Sequence, residues 1–348
     1  MTTVLSVAYP FAPVTADPVG GAEQVLAAVD RALVAAGHRS VVVAQQGSAV
    51  AGELVATPAV EGEITDAART RTHAAVREAV AAALARERVD LIHFHGLDFG
   101  CYPPTPGGPP ALATLHLPTA WYDPAALRTP GLTLNAVSPH QAAGAPADLG
   151  PLPVVENGVD VESFALDLPR GGDLVALGRI CPEKGLHLAL DAARLAGTRL
   201  FAAGAVFPYG AHRAYFDREF APRLDARRRW LGPVGGEGKR RLLAAARAVL
   251  IPSLAPETSS LVAREAAAAG APVVAFRSGA LEEAVEHGRT GWLVDSHEGS
   301  AGLAAALARV DAIDPAECRR RARERFPLRR MTDGYLALHR RLLERARG

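Results

Sequence analysis

Glu257 and Glu265 stand eight positions apart in the run Pro256-Glu257-Thr258-Ser259-Ser260-Leu261-Val262-Ala263-Arg264-Glu265-Ala266. The run lies between two apolar segments, residues 248–252 and 271–276. This pattern predicts strand, loop, short helix, a stop at Gly270 and a further strand. Glu257 then lies in the loop leaving a strand, Ser259 and Ser260 at the helix start, and Glu265 more than a turn further on. The unpaired N–H groups of a helix start, here Ser259, Ser260, Leu261 and Val262, favour an anion. Carboxylates on either side can accept hydrogen bonds from sugar hydroxyls. Such a constellation suits a molecule carrying both phosphate and sugar. A surface helix with an acid near its N-terminus accounts for the same residues, because the macrodipole favours that placement as well.

Upstream, residues 174–185 read as a strand, a turn at Gly178 and a helix entered at Pro182. Arg179 and Lys184 flank the turn at the strand's carboxyl end, where open α/β sheets bind ligands. Two cations there can hold a diphosphate, Arg through a forked contact and Lys as a mobile point charge. Two solvated loop charges are the plain alternative, less favoured beside a second anion-friendly loop.

The elements that must carry these residues alternate along the chain. Residues 3–8 form a short apolar run of the buried parallel-strand type. A proline-rich loop with Gly20-Gly21 follows. Residues 22–36 form an amphipathic helix with Val25, Leu26, Val29, Leu33 and Val34 on one face, stopped by Gly37. Strands are expected at 40–44, 90–95, 111–115 and 132–137, a long alanine-rich helix at 67–88, and a stiff proline/glycine loop at 103–110. A second strand–helix series runs from Leu174 to Val294. Continuous apolar strands alternating with helices imply parallel sheets covered on both faces. At 348 residues, two domains are the natural division.

With these segments in hand, the chain resembles the retaining GT-B glycosyltransferases of family 4. The resemblance rests on Glu257…Glu265 as Glu-x7-Glu, on Gly178-Arg179…Lys184-Gly185, and on residues 279–294, similar to the segment that follows the family's donor site. Gly20-Gly21-Ala22-Glu23, His93-Phe94-His95-Gly96, Thr114-Leu115-His116 and Asn157-Gly158-Val159-Asp160 add to it. One departure is Ser259-Ser260, where many relatives carry Phe-Gly. The chain also looks short for the family, with the loss expected in its first half.

The resemblance implies an α/β fold of GT-B type: two doubly wound, Rossmann-like parallel-sheet domains facing a cleft, with a C-terminal helix crossing back. Residues 1–156 would form the acceptor-side domain and 157–326 the nucleotide-sugar-binding domain. Residues 327–348 would return to the first domain through Met331, Tyr335, Leu336 and Leu342. It implies a hexosyltransferase using a nucleotide-diphosphate sugar and a small-molecule, glycan or natural-product acceptor. Arg179, Lys184 and the amides from Ser259 to Val262 would hold the diphosphate, with Gly178 making the turn. Glu265 would hold the ribose, Glu257 the hexose, and His116 would touch the donor sugar. Gly20 and Gly21 would bring backbone close to phosphate or acceptor. Retention would proceed by same-face attack; Asp98 is the candidate base for inversion.

Other features exclude classes. No Asp-x-Asp occurs, so neither a metal nor any cofactor besides the donor is expected. The formal charge is 38 − 37 = +1, which gives no reason to expect a nucleic-acid partner. The basic runs 227–229, 239–241 and 319–321 sit beside helical pattern with acids nearby, so solvated helix faces are favoured over membrane contact. His93 and His95 share one face of a strand, without a third ligand nearby for zinc. His38 and His140 read as loop or cap residues. Cys101, Cys181 and Cys318 form no metal or disulfide pattern, and a reducing cytoplasm is the expectation. No basic leader and no stretch of roughly 18 apolar residues is present. Abundant Ala, Arg, Gly and Pro suggest a GC-rich bacterial genome. A sugar-nucleotide epimerase or a noncatalytic nucleotide-sugar-binding protein remain as alternatives. A nicotinamide dehydrogenase is disfavoured, since no Gly-x-Gly-x-x-Gly follows the first strand.

Overall fold

The structure, a computed structural model, describes residues 1–15, 20–104 and 107–347. Part of the expected proline-rich loop before Gly20, and residues 105 and 106 of the expected loop 103–110, lie outside the described residues. The chain divides into one unit of Met1–Glu156 with Arg329–Gly348, and a second of Asn157–Leu328.

The first unit contains β1 (Thr3–Val7), α1 (Gly21–Ala35), β2 (Arg39–Gln45), β3 (Glu53–Thr57) and α2 (Asp66–Arg86). It continues with β4 (Leu91–Phe94), β5 (Ala111–Leu115), β6 (Leu132–Ala136) and α3 (Pro139–Ala143). Its six strands are ordered β3-β2-β1-β4-β5-β6, all parallel. Every residue of β1, β4 and β5 is buried, the mark of strands covered on both faces. Edge strand β3 is only half-buried; its Glu-Leu-Val-Ala-Thr sequence is too short and mixed to announce a strand.

The second unit runs through α4 (Val161–Phe164), β7 (Leu174–Leu177), α5 (Leu186–Leu195), β8 (Leu200–Ala203), α6 (Gly210–Tyr215), β9 (Arg228–Trp230) and α7 (Gly236–Ala245). Then follow β10 (Ala248–Ile251), α8 (Leu261–Ala269), β11 (Val273–Phe276), α9 (Leu281–Ala284), β12 (Gly291–Val294), α10 (Gly299–Leu307) and α11 (Pro315–Arg325). The order β12-β11-β10-β7-β8-β9 repeats the first sheet's doubly wound topology. Separate apolar clusters fill the two faces of this sheet, one around Val249, Ala266 and Val273, the other around Leu190, Leu250 and Leu303.

The last helix, α12 (Leu328–Arg347), belongs almost wholly to the first unit. Met331, Tyr335, Leu338, His339 and Leu342 are its buried residues, while Leu336 is half-exposed. Where the chain enters and leaves the second unit, the two segments run side by side. Val159 N–H donates to Phe326 C=O at 2.9 Å and Leu328 N–H to Val159 C=O at 2.9 Å. Gly158 is needed for this approach: a Cβ there would stand 2.7 Å from the Pro327 carbonyl oxygen.

Two sequence expectations are corrected. The helix after β7 starts at Leu186, not Pro182, because residues 182–184 make a single 3-10 turn that ends on left-handed Gly185. Arg228 and Arg229 lie on strand β9, not beside a helix.

Candidate functional site

In the second sheet the strand order reverses between β7 and β10, and loops leaving strands at such a point diverge to leave room for a ligand. The two loops leaving β7 and β10 carry Arg179 and Lys184 on one side, Glu257, Ser259 and Ser260 on the other. They are bound together. Glu183 C=O accepts from Leu254 N–H at 2.8 Å and from Ala255 N–H at 3.2 Å. Gly185 approaches so closely that a Cβ would lie 2.3 Å from the Pro252 carbonyl oxygen.

Across this seam Lys184 Nζ donates to Glu257 Oε1 at 2.6 Å. The buried Ser253 hydroxyl donates to the same oxygen. Burial pushes the Glu257 carboxyl up, but the Lys184 ammonium, the Ser253 hydroxyl and Arg179 outweigh it and hold the group below its usual range. Glu257 is therefore a carboxylate at neutral pH. Its backbone is pinned from behind: Ala280 N–H donates to Glu257 C=O at 2.7 Å, and left-handed Gly279 fits where a Cβ would collide with that oxygen. Arg179 is half-buried, its guanidinium 5.6 Å from the Phe207 ring centroid. An anion placed at this seam would compete with Glu257 for the Lys184 ammonium.

The next turn of chain is strained. Ser260, the residue before α8, has φ +52°, the one non-glycine residue with positive φ among those described. Such backbone costs on the order of 1–3 kcal/mol and persists only where its surroundings impose it. Arg264 imposes it. This fully buried guanidinium donates through Nε to Ser259 C=O at 3.2 Å and through Nη1 to Asn157 C=O, and lies 4.7 Å from the Phe326 ring centroid. α8 begins at Leu261, four residues after Glu257, so its first-turn amides, from Leu261 and Val262, follow directly on the strained Ser260. The Ser259 hydroxyl is buried without a hydrogen-bond partner among the described residues.

Glu265, only 3% exposed, is paired: Lys239 Nζ on α7 donates to its Oε1 at 2.8 Å. Lys239 is thus buried and not part of a solvated face, a correction to the reading of run 239–241. Its signal in the sequence was swamped by Arg240 and Arg241 beside it. Ser253 and Arg264 were likewise missed. A serine in a loop and an arginine on a helix have no spacing that announces burial.

The first unit holds the remaining candidates. His116 directly follows β5, and its Nε2 lies 3.1 Å from His95 Nδ1 with the rings stacked. His95 and His93 are side by side, ring centroids 4.0 Å apart, as alternation on a strand requires. His93 also meets the Thr114 hydroxyl at 2.7 Å and His339 of α12 at 3.1 Å. Burial first, then repulsion from neighbouring imidazoles, drives the His93 and His95 pKa values well below 6.5; burial takes His116 to about 3. All are neutral near pH 7, so His116 can serve as a hydrogen-bonding group without charge.

Gly20 caps α1 with extended backbone, φ −93°. Here glycine supplies space: a Cβ would lie 1.8 Å from Oε2 of Glu23, whose carboxylate folds back over it. Gly21 is the first residue of that helix. Asp98 is engaged at both oxygens, by His73 Nε2 at 2.7 Å and by the Tyr102 hydroxyl at 2.5 Å. No helix among the described residues is long and apolar enough to cross a membrane.

Comparison with known proteins agrees with this architecture. The family profile described as "Glycosyltransferase Family 4" matches residues 19–163, and that described as "Glycosyl transferases group 1" matches residues 171–311. The D-inositol 3-phosphate glycosyltransferase of Mycolicibacterium paratuberculosis is 37% identical over 218 residues, 57% of this chain and 49% of that protein. The glycogen synthase of Mycobacterium tuberculosis is 38% identical over 185 residues, 50% of this chain and 43% of that protein. The chain thus spans about half the length of these relatives. Among solved structures, AviGT4, a glycosyltransferase involved in avilamycin A biosynthesis, superposes with a TM-score of 0.72 at 27% identity, covering 99% of this chain and 98% of that one. Anabaena HepE, solved with UDP-glucose, shares the fold with a TM-score of 0.70 at 20% identity over 97% of this chain and 99% of that one.

Proposed function

Because this chain belongs to the family 4 glycosyltransferases of GT-B fold, we propose that it is a retaining, metal-independent enzyme moving a hexose-type sugar from a nucleotide-diphosphate sugar to a hydroxyl acceptor. The observation that carries this reading is the grouping of Arg179, Lys184, Glu257 and the start of α8 at the reversal point of the second sheet.

Each residue then has a task. Arg179, Lys184 and the amides of Leu261 and Val262 neutralise the diphosphate as the sugar–phosphate bond breaks, a form of fixed electrostatic stabilisation. Ser259 and Ser260 set the backbone at that point, and Gly178 opens the turn that carries Arg179. As phosphate takes the ammonium, Glu257 is released to accept hydrogen bonds from hexose hydroxyls. Glu265, held by Lys239, receives the ribose hydroxyls. Neutral His116 orients the donor sugar, and Gly20 and Gly21 give close backbone approach on the first unit. In the transfer, the acceptor oxygen bonds to the anomeric carbon on the face the diphosphate leaves. The acceptor proton passes to a leaving phosphate oxygen, so no enzyme base is required. Asp98, held by His73 and Tyr102, is a structural carboxylate in this scheme. Cations of the chain take the place of a metal, and no cofactor besides the donor is used. The three free thiols favour a reducing cytoplasm.

The test is a panel of nucleotide sugars screened by thermal stabilisation, followed by product analysis. A ligand at about 100 times its dissociation constant adds roughly 2.7 kcal/mol. An α-linked donor is expected to give an α-linked product by proton NMR coupling, with turnover unchanged in excess EDTA. A β-linked product would overturn retention, loss of turnover restored by manganese would overturn metal independence, and an isomerised donor would point to an epimerase.

A further inference from the structure

Beside the anion loops lies a second cluster that the proposed transfer does not use. Cys181 and Glu183 sit two apart on the turn after β7, and His212 lies on α6. Each offers one donor atom, and the three atoms lie within 4.8 Å of one another. Cys181 is fully buried and His212 is 6% exposed. His212 Nδ1 is buried with no hydrogen-bond partner among the described residues, and so is Oε2 of Glu183, whose carboxylate is otherwise bonded by the Cys181 thiol. The turn is held in place by the bonds from Leu254 and Ala255 to the Glu183 carbonyl, and the His212 ring is packed against Tyr209, centroids 5.1 Å apart.

We propose that Cys181, Glu183 and His212 form a binding site for one divalent transition-metal ion, zinc by its donor chemistry. Thiolate, carboxylate and imidazole together are the ligand types zinc takes, and three protein ligands leave a fourth position for water. Thiolate and carboxylate cancel the ion's two charges, while Arg179 on the same turn opposes it and limits affinity. Binding displaces the thiol proton to solvent and contracts the three donors by about 1 Å, toward tetrahedral ligand spacing. The ion would tie the turn bearing Lys184 to α6. This site is independent of the proposed transfer reaction and is tested without it.

The experiment is a cobalt(II) titration of the full chain followed by absorption, with zinc as competitor. One equivalent of cobalt is expected to give a thiolate-to-cobalt charge-transfer band that zinc abolishes. Cys181→Ser should remove the band, and His212→Ala should weaken zinc binding about tenfold or more, the scale seen even for outer-shell changes. Cys101→Ser, which removes the exposed thiol, should leave both intact. A wild-type protein without the charge-transfer band overturns the site whatever the variants do. So does a band that survives in Cys181→Ser but is lost in Cys101→Ser.

Discussion

Lys239 Nζ and Glu265 Oε1 are 2.8 Å apart, and both side chains are buried. Taking one partner away strands a charge out of water, which costs about 3–5 kcal/mol, whereas replacing both with apolar groups is often close to neutral. Lys239→Met alone should therefore lower the urea midpoint sharply, and Lys239→Met with Glu265→Leu should recover most of it. Additive losses in the double-mutant cycle would show that the pair is not a unit. Among variants that fold, Glu265→Gln should raise KM for the donor with a smaller change in kcat, since the ribose is remote from the breaking bond.

The Lys184–Glu257 pair predicts a different outcome, because in the proposed reaction the donor diphosphate competes with Glu257 for the ammonium. Lys184→Ala and Arg179→Ala should each lower kcat by on the order of a hundredfold, with circular dichroism unchanged. Glu257→Gln keeps shape and removes charge; it should lower kcat while leaving nucleoside-diphosphate binding within a few-fold, since the ammonium is then unopposed. Wild-type turnover in both cation variants would place the diphosphate elsewhere.

Ser260 offers a stability test. Its positive φ is strained for any L-residue, and glycine relieves that strain. Ser260→Gly should raise unfolding free energy by up to about 1 kcal/mol, after the larger entropy of the unfolded glycine chain is set against the relief. Ser260→Val should lower it. If the glycine variant melts lower than the wild type, the serine hydroxyl holds the loop more than its backbone strains it.

The buried histidines set an acid limit. Their folded pKa values lie below 6.5, through burial first and, for His93, His95 and His339, other imidazoles second; His116 and His339 lie at about 3. Between those values and 6.5 the unfolded chain binds protons that the folded chain does not, so stability falls as pH falls through that window. Each such histidine contributes about 1.4 kcal/mol per pH unit once well below 6.5. Melting temperature should drop steadily between pH 6.5 and 4.5, and His339→Gln should flatten the slope relative to wild type. Parallel slopes in the two proteins would mean that carboxylates, not histidines, set the acid limit.

Each residue type reveals a different share of the fold in the sequence. Glycine and proline punctuation located β10, α8 and its end at Gly270, because left-handed backbone selects glycine at a helix end. Loop position and charge mark Glu257 and Lys184 each as a candidate binding residue. Their pairing was not visible, since they are 73 positions apart and joined only by the order of strands. Gly185 hid a break in the helix after Pro182: a left-handed residue and a helical one look alike when both can be glycine. Lys239 and Arg264 are the sharper failures. Burial of a long cation depends on what the fold brings opposite it, and charge patterning along one helix carries no such information.

The paired crossing at Val159 and Phe326 carries a consequence for synthesis on the ribosome. The second unit is one uninterrupted stretch whose two ends are hydrogen-bonded to each other, so it can close as soon as it has emerged. The first unit begins earlier yet lacks Tyr335 and His339, its final buried pieces, until the last helix is made. The half translated first is therefore the half that matures last. Until α12 is made, its buried residues have no place on the sheet of the first unit, and exposed apolar surface of that kind is what makes incompletely folded chains prone to aggregate.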